Sequence, residues 1–550
     1  MQTAAESVER ILDTVPDRYR GPGGCVAILK DGALVGQRAW GFANLDARIA
    51  MTPRTVLPIC SITKQLLCQA ILDLERHPPP GPPASPAAVR AQLAAHAGAL
   101  LGAPVAAAPA DGGIALDHLT DMHSGLRDYW ALCTLWGSRP DTPFSVAAHA
   151  PLALARAGAA LHFPPGAAMS YCNTNFHVLG AAASAVAGRP LGAVLEERVF
   201  ARAGMASARL RADTAASLEP GGGEGCVGYE GDEARGFVEA SNAIEWEGDA
   251  GVVAALEDMV AYERWFDGVW SDEAGGAWYR DAAAPRAYAD GGRARYRLGL
   301  SHTEVRGVPT VGHGGALRGF RLHRRYVPSE RLSVVVLFNH EASAEGCAAY
   351  LIAEVLGLPA APPADETIEP AQEWFGVFLD EASQLAVTVK PAGKAKVSIS
   401  YTGDSEAVPL VDATNARSRR MVAQVERDVL RVHCLDDNLK IQARRVLKQD
   451  ARLKSFSLPA KFRCEALDST FHCSGHGSLL YGAFDGFLGE GPPHLMRHLG
   501  GDVWLLADPR GMDAPAPGDW TVVFRRDQQD TVVGATIGCW LARKLEYVKA

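Results

Sequence analysis

The 550-residue chain is too long for one hydrophobic core, and its length favours two to four domains. With 54 basic against 63 acidic residues it carries a formal charge of −9. No basic run or basic-aromatic stretch stands out, which argues against nucleic acid or an anionic membrane as its main partner and for a small molecule or peptide.

The first twenty residues mix acids and arginines with no apolar stretch of signal-peptide length. The longest apolar runs, such as SVVVLF at 333–338, are strand length, far below the ~20 residues of a membrane helix. Eleven cysteines, an odd number without a C-x-x-C pair, read as free thiols in a reducing compartment rather than a disulfide or zinc framework. A cytoplasmic protein is expected, with no metal and no cofactor.

Residues 23–45 hold two strand-like runs broken at Asp31-Gly32, a hairpin signal. The run SITKQLLCQAILDLERH then has helical spacing at Ile62, Leu66, Leu67, Ala70, Ile71 and Leu74, with Ser61 at its start. Ser61 and Lys64 thus lie one turn apart on one face, where their side chains can meet. Only two lysines, Lys30 and Lys64, occur in the first 389 residues, where basic charge is otherwise written as arginine. Arginine keeps its proton at any working pH, whereas a buried lysine can become a base.

From 77 to 110 alanine and proline predict a loop and an alanine-rich helix without chemistry. Alternating helix and strand patterns run on to about Gly357, and APPADETIEP at 361–370 reads as a linker. Nine of the eleven lysines then fall in 390–550, where strand-like runs such as AVTVKP, MVAQVE and TVVGATIGCW predict an all-β region. A junction near 448–458 would divide it in two. The expected domains are 1–360, 371–447 and 448–550.

Two further stretches join Ser61 and Lys64: SYCNTNF, with Tyr171-Cys172-Asn173, and VGHGGALRGF, with His313-Gly314-Gly315. With S-x-x-K, Y-x-N and H-x-G in that order, the sequence resembles the penicillin-recognising serine hydrolases. LDHLTDMHSGLRDYW at 116–130 and EGDAGVVAALEDMVAYERWF at 247–266 add to the likeness, which covers roughly residues 20–357. The resemblance implies a β-lactamase-like α/β catalytic domain, an antiparallel sheet flanked by helices, followed by two small antiparallel β-barrels.

Chemistry assigns roles to these residues. Ser61 needs a base within hydrogen-bond reach. Lys64, if neutral, can take its proton, and Tyr171 can relay a proton to the leaving amine; which of the two is the primary base stays open. Asn173 would orient Lys64 and the substrate amide. The resemblance implies an oxyanion hole from the backbone N–H groups of Ser61 and Ala316, with Gly314 and Gly315 letting their strand approach the substrate. His313 stands where the β-lactamases carry lysine. A mostly neutral imidazole weakens recognition of a substrate carboxylate.

Two β domains behind this catalytic domain resemble the D-stereospecific aminopeptidases, in which a loop of the third domain enters the site and meets the substrate's amino group. PRGMDAPAPGDW at 509–520 is a specific point of likeness. The expected loop is Asp508, Pro509, Arg510, Gly511, Met512, Asp513, Ala514, Pro515, Ala516, Pro517 and Gly518, with Asp513, or failing that Asp508, as the anion for the ammonium. The resulting expectation is a serine aminopeptidase that releases N-terminal D-residues from peptides, amides and esters and is inhibited by β-lactams. An esterase or amidase of the same fold and a non-catalytic sensor remain as alternatives. The oligomeric state stays open, a homodimer included.

Overall fold

The computed structural model describes residues 2–81, 85–108, 112–158, 160–211, 213–215, 225–272, 276–360, 367–401, 405–447, 459–476, 479–508, 511–513 and 518–550. The linker expected at 361–370 and the junction expected at 448–458 thus lie partly and wholly outside the described residues. Seven helices matter for the site: α1 (Gln2–Asp13), α2 (Thr63–Arg76), α3 (Pro86–Leu101), α4 (Tyr129–Leu135), α5 (Asn173–Ala187), α6 (Leu256–Ser271) and α7 (Ala344–Val355).

The strands β1 (Gly23–Lys30), β2 (Ala33–Asn44), β3 (Ile49–Ala50), β4 (Tyr296–Arg297), β5 (Leu300–Val305), β6 (Val308–Leu317), β7 (Phe320–Val327) and β8 (Leu332–Phe338) form one antiparallel sheet in the order β4-β5-β6-β7-β8-β1-β2-β3. The expected hairpin at Asp31-Gly32 is β1–β2, with both turn residues at positive φ, 52° and 72°. Side chains alternate across a strand, so β1 sends Cys25, Ala27 and Leu29 into the core with α2 and α6, and Val26 and Ile28 against α1 and α7. Helices on both faces explain why β8 reads as an unbroken apolar run: it is buried along its whole length.

The alanine-rich helix is α3, capped by Ser85, whose side chain accepts from the Ala88 N–H. The helix expected to start at Ser61 begins properly at Thr63, because Cys60 takes a left-handed φ of 50° and Ser61 sits in a 3₁₀ turn, Cys60–Ile62. No single helix among the described residues is long and apolar enough to cross a membrane.

Beyond the linker the chain forms two all-antiparallel sheets. Eight strands from Gly376–Asp380 to Leu439–Arg445 make the first, whose end strands are joined by a bridge between Leu410 and Ala416. Nine strands from Ala460–Cys464 to Ala542–Lys549 make the second, closed by pairing of Ser469–His476 with Leu479–Gly486. Both therefore curl into barrels.

The two barrels hold the catalytic part by different chemistry. The second shares its apolar core: Trp136, after α4, is fully buried and donates to the Leu467 carbonyl at 3.0 Å. The first docks through polar pairs, among them Lys440 with Asp290 at 2.7 Å and Tyr288 donating to the Asp436 carbonyl at 2.8 Å.

Under the sheet, Arg324 of β7 and Glu263 of α6 are both fully buried and meet through two guanidinium–carboxylate contacts, one of 2.7 Å. Arg324 also donates to Gln65 Oε1 on α2 at 3.0 Å, and Ser333 of β8 donates to Glu263 at 2.8 Å. One ion pair thus ties α2, the helix that follows Ser61, to the sheet. Removing one partner strands a buried charge, so Glu263→Gln is expected to cost ~3–5 kcal/mol of stability, read as a lower urea midpoint at unchanged slope.

Candidate active site

Ser61 reaches the surface of a cleft because the left-handed residue before it turns the chain sharply into α2. Lys64, one turn later, is fully buried. Its Nζ donates to Ser61 Oγ at 2.9 Å, to Asn173 Oδ1 at 2.8 Å and to the Asp249 carbonyl at 2.7 Å. Its nitrogen also lies 5.0 Å from the centre of the Tyr171 ring, and Tyr171 faces the same cleft.

Asn173 is the first residue of α5, and its amide is held from behind. Its Nδ2 donates to Asp128 Oδ2 at 2.9 Å, and its backbone N–H donates to the same oxygen at 2.5 Å. Asp128 caps α4 with its other oxygen, accepting from the N–H groups of Trp130 and Ala131. Burial pushes the Asp128 carboxyl up, while its N–H donors and the charge of Lys64 pull it back. Asp249 accepts from the Tyr129 hydroxyl at 2.8 Å and the Trp130 indole at 3.2 Å. Burial would raise Asp249 too, but His177, Lys64 and Tyr129 outweigh it and hold the carboxyl at about 2.

Opposite Ser61 runs β6. An ideal Cβ on Gly315 would sit 2.4 Å from the Ile59 carbonyl and 3.2 Å from Cys60 Cβ, so only glycine lets this strand lie against the nucleophile's turn. The strand β5 pairs with β6 only as far as Gly312, so among the described residues no strand pairs with His313, Gly314, Gly315 and Ala316 along the edge toward Ser61. His313 is buried, and its two nitrogens are committed. Nδ1 lies 2.6 Å from the Gly314 carbonyl and Nε2 lies 3.0 Å from the Tyr296 hydroxyl. A carbonyl only accepts, so Nδ1 carries the proton and Nε2 accepts from Tyr296. Burial, reinforced by Lys64, pushes the imidazole down to about 3.

The cleft, about 790 Å³, is lined by Ser61, Tyr171, Asn173, β6 from Gly312 to Ala316, and Asp513 of the second barrel. The Arg318 N–H, just beyond β6, donates to the Asp513 carbonyl at 2.9 Å and holds this loop to the catalytic part. Met512 beside it is buried. Asp508 lies elsewhere: it is buried at a strand end, accepting from Thr134 at 3.1 Å and from the Trp520 indole at 3.4 Å, and it is not part of the cleft wall. Gly511 and Gly518 flank the loop, Gly518 at φ 100°. Pro509, Arg510, Ala514, Pro515, Ala516 and Pro517 lie outside the described residues.

Asp128, Asp249 and Tyr296 carry the site's supporting bonds and were not singled out by sequence reasoning. The first two fall within MHSGLRDYW and EGDAGVV, stretches that drew attention only as likenesses. Nothing local marks Tyr296, whose partner comes from another strand.

The chain matches the family model described as beta-lactamase over residues 8–356 and the one described as D-aminopeptidase, domain B, over residues 367–548. Proteins named D-aminopeptidase from Brucella canis and Brucella anthropi are each 38% identical to it over 541 residues, covering 98% of both chains. Among solved structures, the octameric penicillin-binding protein homologue from Pyrococcus abyssi aligns with a TM-score of 0.51 at 19% identity, over 80% of this chain and 99% of that one. SurE aligns with a TM-score of 0.51 at 16% identity, over 99% of each chain. These structures share the fold.

Two expectations follow from the geometry. Gly315→Ala forces β6 away from the Ser61 turn; a displacement near 1 Å at a reacting centre costs about a hundredfold, so kcat/KM should fall by that order with the circular dichroism spectrum retained. His313, with its pKa depressed to about 3, should stay neutral and Nδ1-protonated. Its ¹⁵N imidazole resonances should therefore not move between pH 5 and 9, and a midpoint near the ordinary ~6.5 would contradict this assignment.

Proposed function

The chain belongs to the D-aminopeptidase family of β-lactamase-like proteins, and on that premise we propose that it is a serine aminopeptidase releasing N-terminal D-residues from peptides and amides. The observation that carries the catalytic reading is the set of partners around Lys64. Asn173 Oδ1 and the Asp249 carbonyl can only accept, so they fix two of the lysine's N–H bonds. In the neutral amine the lone pair is then left facing Ser61 Oγ, whose hydroxyl can donate. Lysine so held acts as a base, which a permanently charged arginine could not do.

Ser61 Oγ attacks the carbonyl of the first residue as its proton passes to Lys64, and the developing oxyanion is met by the backbone N–H groups of Ser61 and Ala316. The C–N bond breaks as the leaving amine takes a proton by way of Tyr171. Water then attacks the Ser61 ester by the reverse relay, returning the hydroxyl and releasing the D-residue. His313 positions β6 and brings no charge to the site. The carboxylate of Asp513 receives the substrate ammonium, the group that separates an aminopeptidase from an esterase or amidase of the same fold. The same acylation makes β-lactams inhibitors rather than good substrates, since the lysine that grips their carboxylate elsewhere is here a neutral histidine. Eleven buried cysteine thiols support a reducing compartment, the cytoplasm.

The test uses D- and L-alanine p-nitroanilide and N-acetyl-D-alanine p-nitroanilide. The D-anilide is expected to turn over, the L-anilide not, and Ser61→Ala should be inactive on both. Asp513→Asn should lower kcat/KM on the free-amine substrate by about tenfold to a hundredfold, the worth of a charge-assisted hydrogen bond, and spare the acetylated one. An equal effect on the two would favour the esterase or amidase reading.

A further inference from the structure

The cleft does not end at the reacting centre. Beyond β4 and the N-terminal half of β6 it is walled by the first barrel, where Arg419 and Arg420 face Arg295 of the catalytic part. All three guanidinium groups gather on one carboxylate, Asp436: Arg295 at 2.9 Å, Arg420 at 3.3 Å and Arg419 at 3.8 Å. Among the described residues, Glu304 stands 4.0 Å from Arg419, Glu345 is occupied by Arg325 at 2.8 Å, and Asp437 of the cleft wall and Glu406 also act on Arg420, leaving the arginines in excess over Asp436 and Asp437 at this wall. Side chains of Arg295, Arg419 and Arg420 remain 27%, 34% and 63% exposed, so this is a hydrated, cationic wall rather than a closed ion pair.

The strand register sets the distances. Arg295 precedes Tyr296, which pairs with Ser301, which pairs with Gly312. At the other end the Asp513 carbonyl is held by the Arg318 N–H. From Gly312 through the end of β6 to Arg318 just beyond it is about 20 Å, with the Ile59-Cys60 turn that precedes Ser61 against Gly315 in the middle. The cleft is therefore polar along its length, with Asp513 and the Arg321–Glu341 pair on one side of Ser61 and the three arginines with Asp436 and Asp437 on the other.

We infer that Arg295, Arg419 and Arg420 form a leaving-group subsite that binds the C-terminal carboxylate of a short peptide, so that the cleft reads both charged ends of its substrate. This rests on the aminopeptidase reading above. With the ammonium at Asp513, the chain runs antiparallel to β6, and the free edge from His313 to Ala316 can pair with its backbone. From the scissile carbonyl to the arginine end is about 10 Å, the span of two to three extended residues. The best substrates are accordingly peptides of three to four residues with a free carboxylate. Guanidinium suits this task because its planar fork meets a carboxylate through two N–H bonds. Asp436 keeps the three cations together when the cleft is empty.

The experiment compares kcat/KM for D-alanyl-glycyl-glycine and its C-terminal amide, with D-alanine p-nitroanilide as the substrate that has no leaving-group carboxylate. The wild-type enzyme is expected to favour the free acid over the amide by about tenfold or more, with the preference fading in 1 M salt. In Arg419→Ala/Arg420→Ala the acid-to-amide ratio should fall to about one. Equal rates on acid and amide in the wild type overturn the inference, as does an equal loss on both in the variant, which would make these arginines a docking contact of the barrel. In either case turnover of the anilide shows that the aminopeptidase reading itself survives; an enzyme inert to the anilide fails that reading and this inference with it.

Discussion

A lysine nitrogen held by Ser61 Oγ and two carbonyl oxygens, with no carboxylate in hydrogen-bond contact among the described residues, is the constraint around which the catalytic part is built. Lys64 needs Ser61 from its own turn, Asn173 from the start of α5 and a carbonyl from the segment before α6, so three distant pieces of chain must arrive together. The negative charge that balances it sits one layer out, on Asp128 and Asp249. That spacing serves the chemistry. A carboxylate in direct contact would pin the proton on the amine, whereas carbonyl oxygens orient the nitrogen without claiming its charge.

Asp128 couples this centre to the remainder of the molecule. It caps α4, and the same short helix, with Thr134 and Trp136, seats the second barrel. The Asp128 N–H donates to the Leu541 carbonyl of that barrel at 3.2 Å. The barrel's apolar attachment and the aim of Asn173 thus share one element, which makes the second barrel part of the site's rigidity. The first barrel meets the catalytic part through polar contacts, of which exposed ion pairs such as Lys440 with Asp290 contribute little to stability, while Asn438 donates to the Ala167 carbonyl at 3.0 Å.

The sequence disclosed the residues proposed to react better than the residues that hold them. Ser61, Lys64, Tyr171, Asn173 and His313 stand in three short stretches whose spacing has chemical meaning, and the structure brings four of them to one cleft wall, with Lys64 buried behind it and bonded to Ser61 and Asn173. The hairpin at Asp31-Gly32 and the helix after Ser61 were legible for the same reason, since turn chemistry and helical period are local. Asp128 and Tyr296 were not, because their value lies in partners 45 and 17 residues away that no period reveals. Arg324 and Glu263 look like surface charges on any pattern, and only the stacking of α6 under the sheet shows that both are dry. The break between the barrel-forming region and the catalytic part showed in lysine usage, yet the loop's two aspartates could not be ranked by charge alone: one caps a strand end, the other faces the cleft.

The placement of Asp513 has an evolutionary consequence. The groups bonded to Lys64 belong to the first part of the chain, while the Asp513 carboxylate that lines the same cleft arrives on a loop of the last, whose Asp513 carbonyl accepts from the Arg318 N–H just after β6. With Asp513 in its proposed role, selection of the substrate's amino end can drift, lengthen or be replaced by exchange of that loop without altering any group bonded to Lys64. A lineage of such enzymes can explore new substrates at the rate at which surface loops diverge, while the acyl-transfer centre changes only as slowly as a packed core permits.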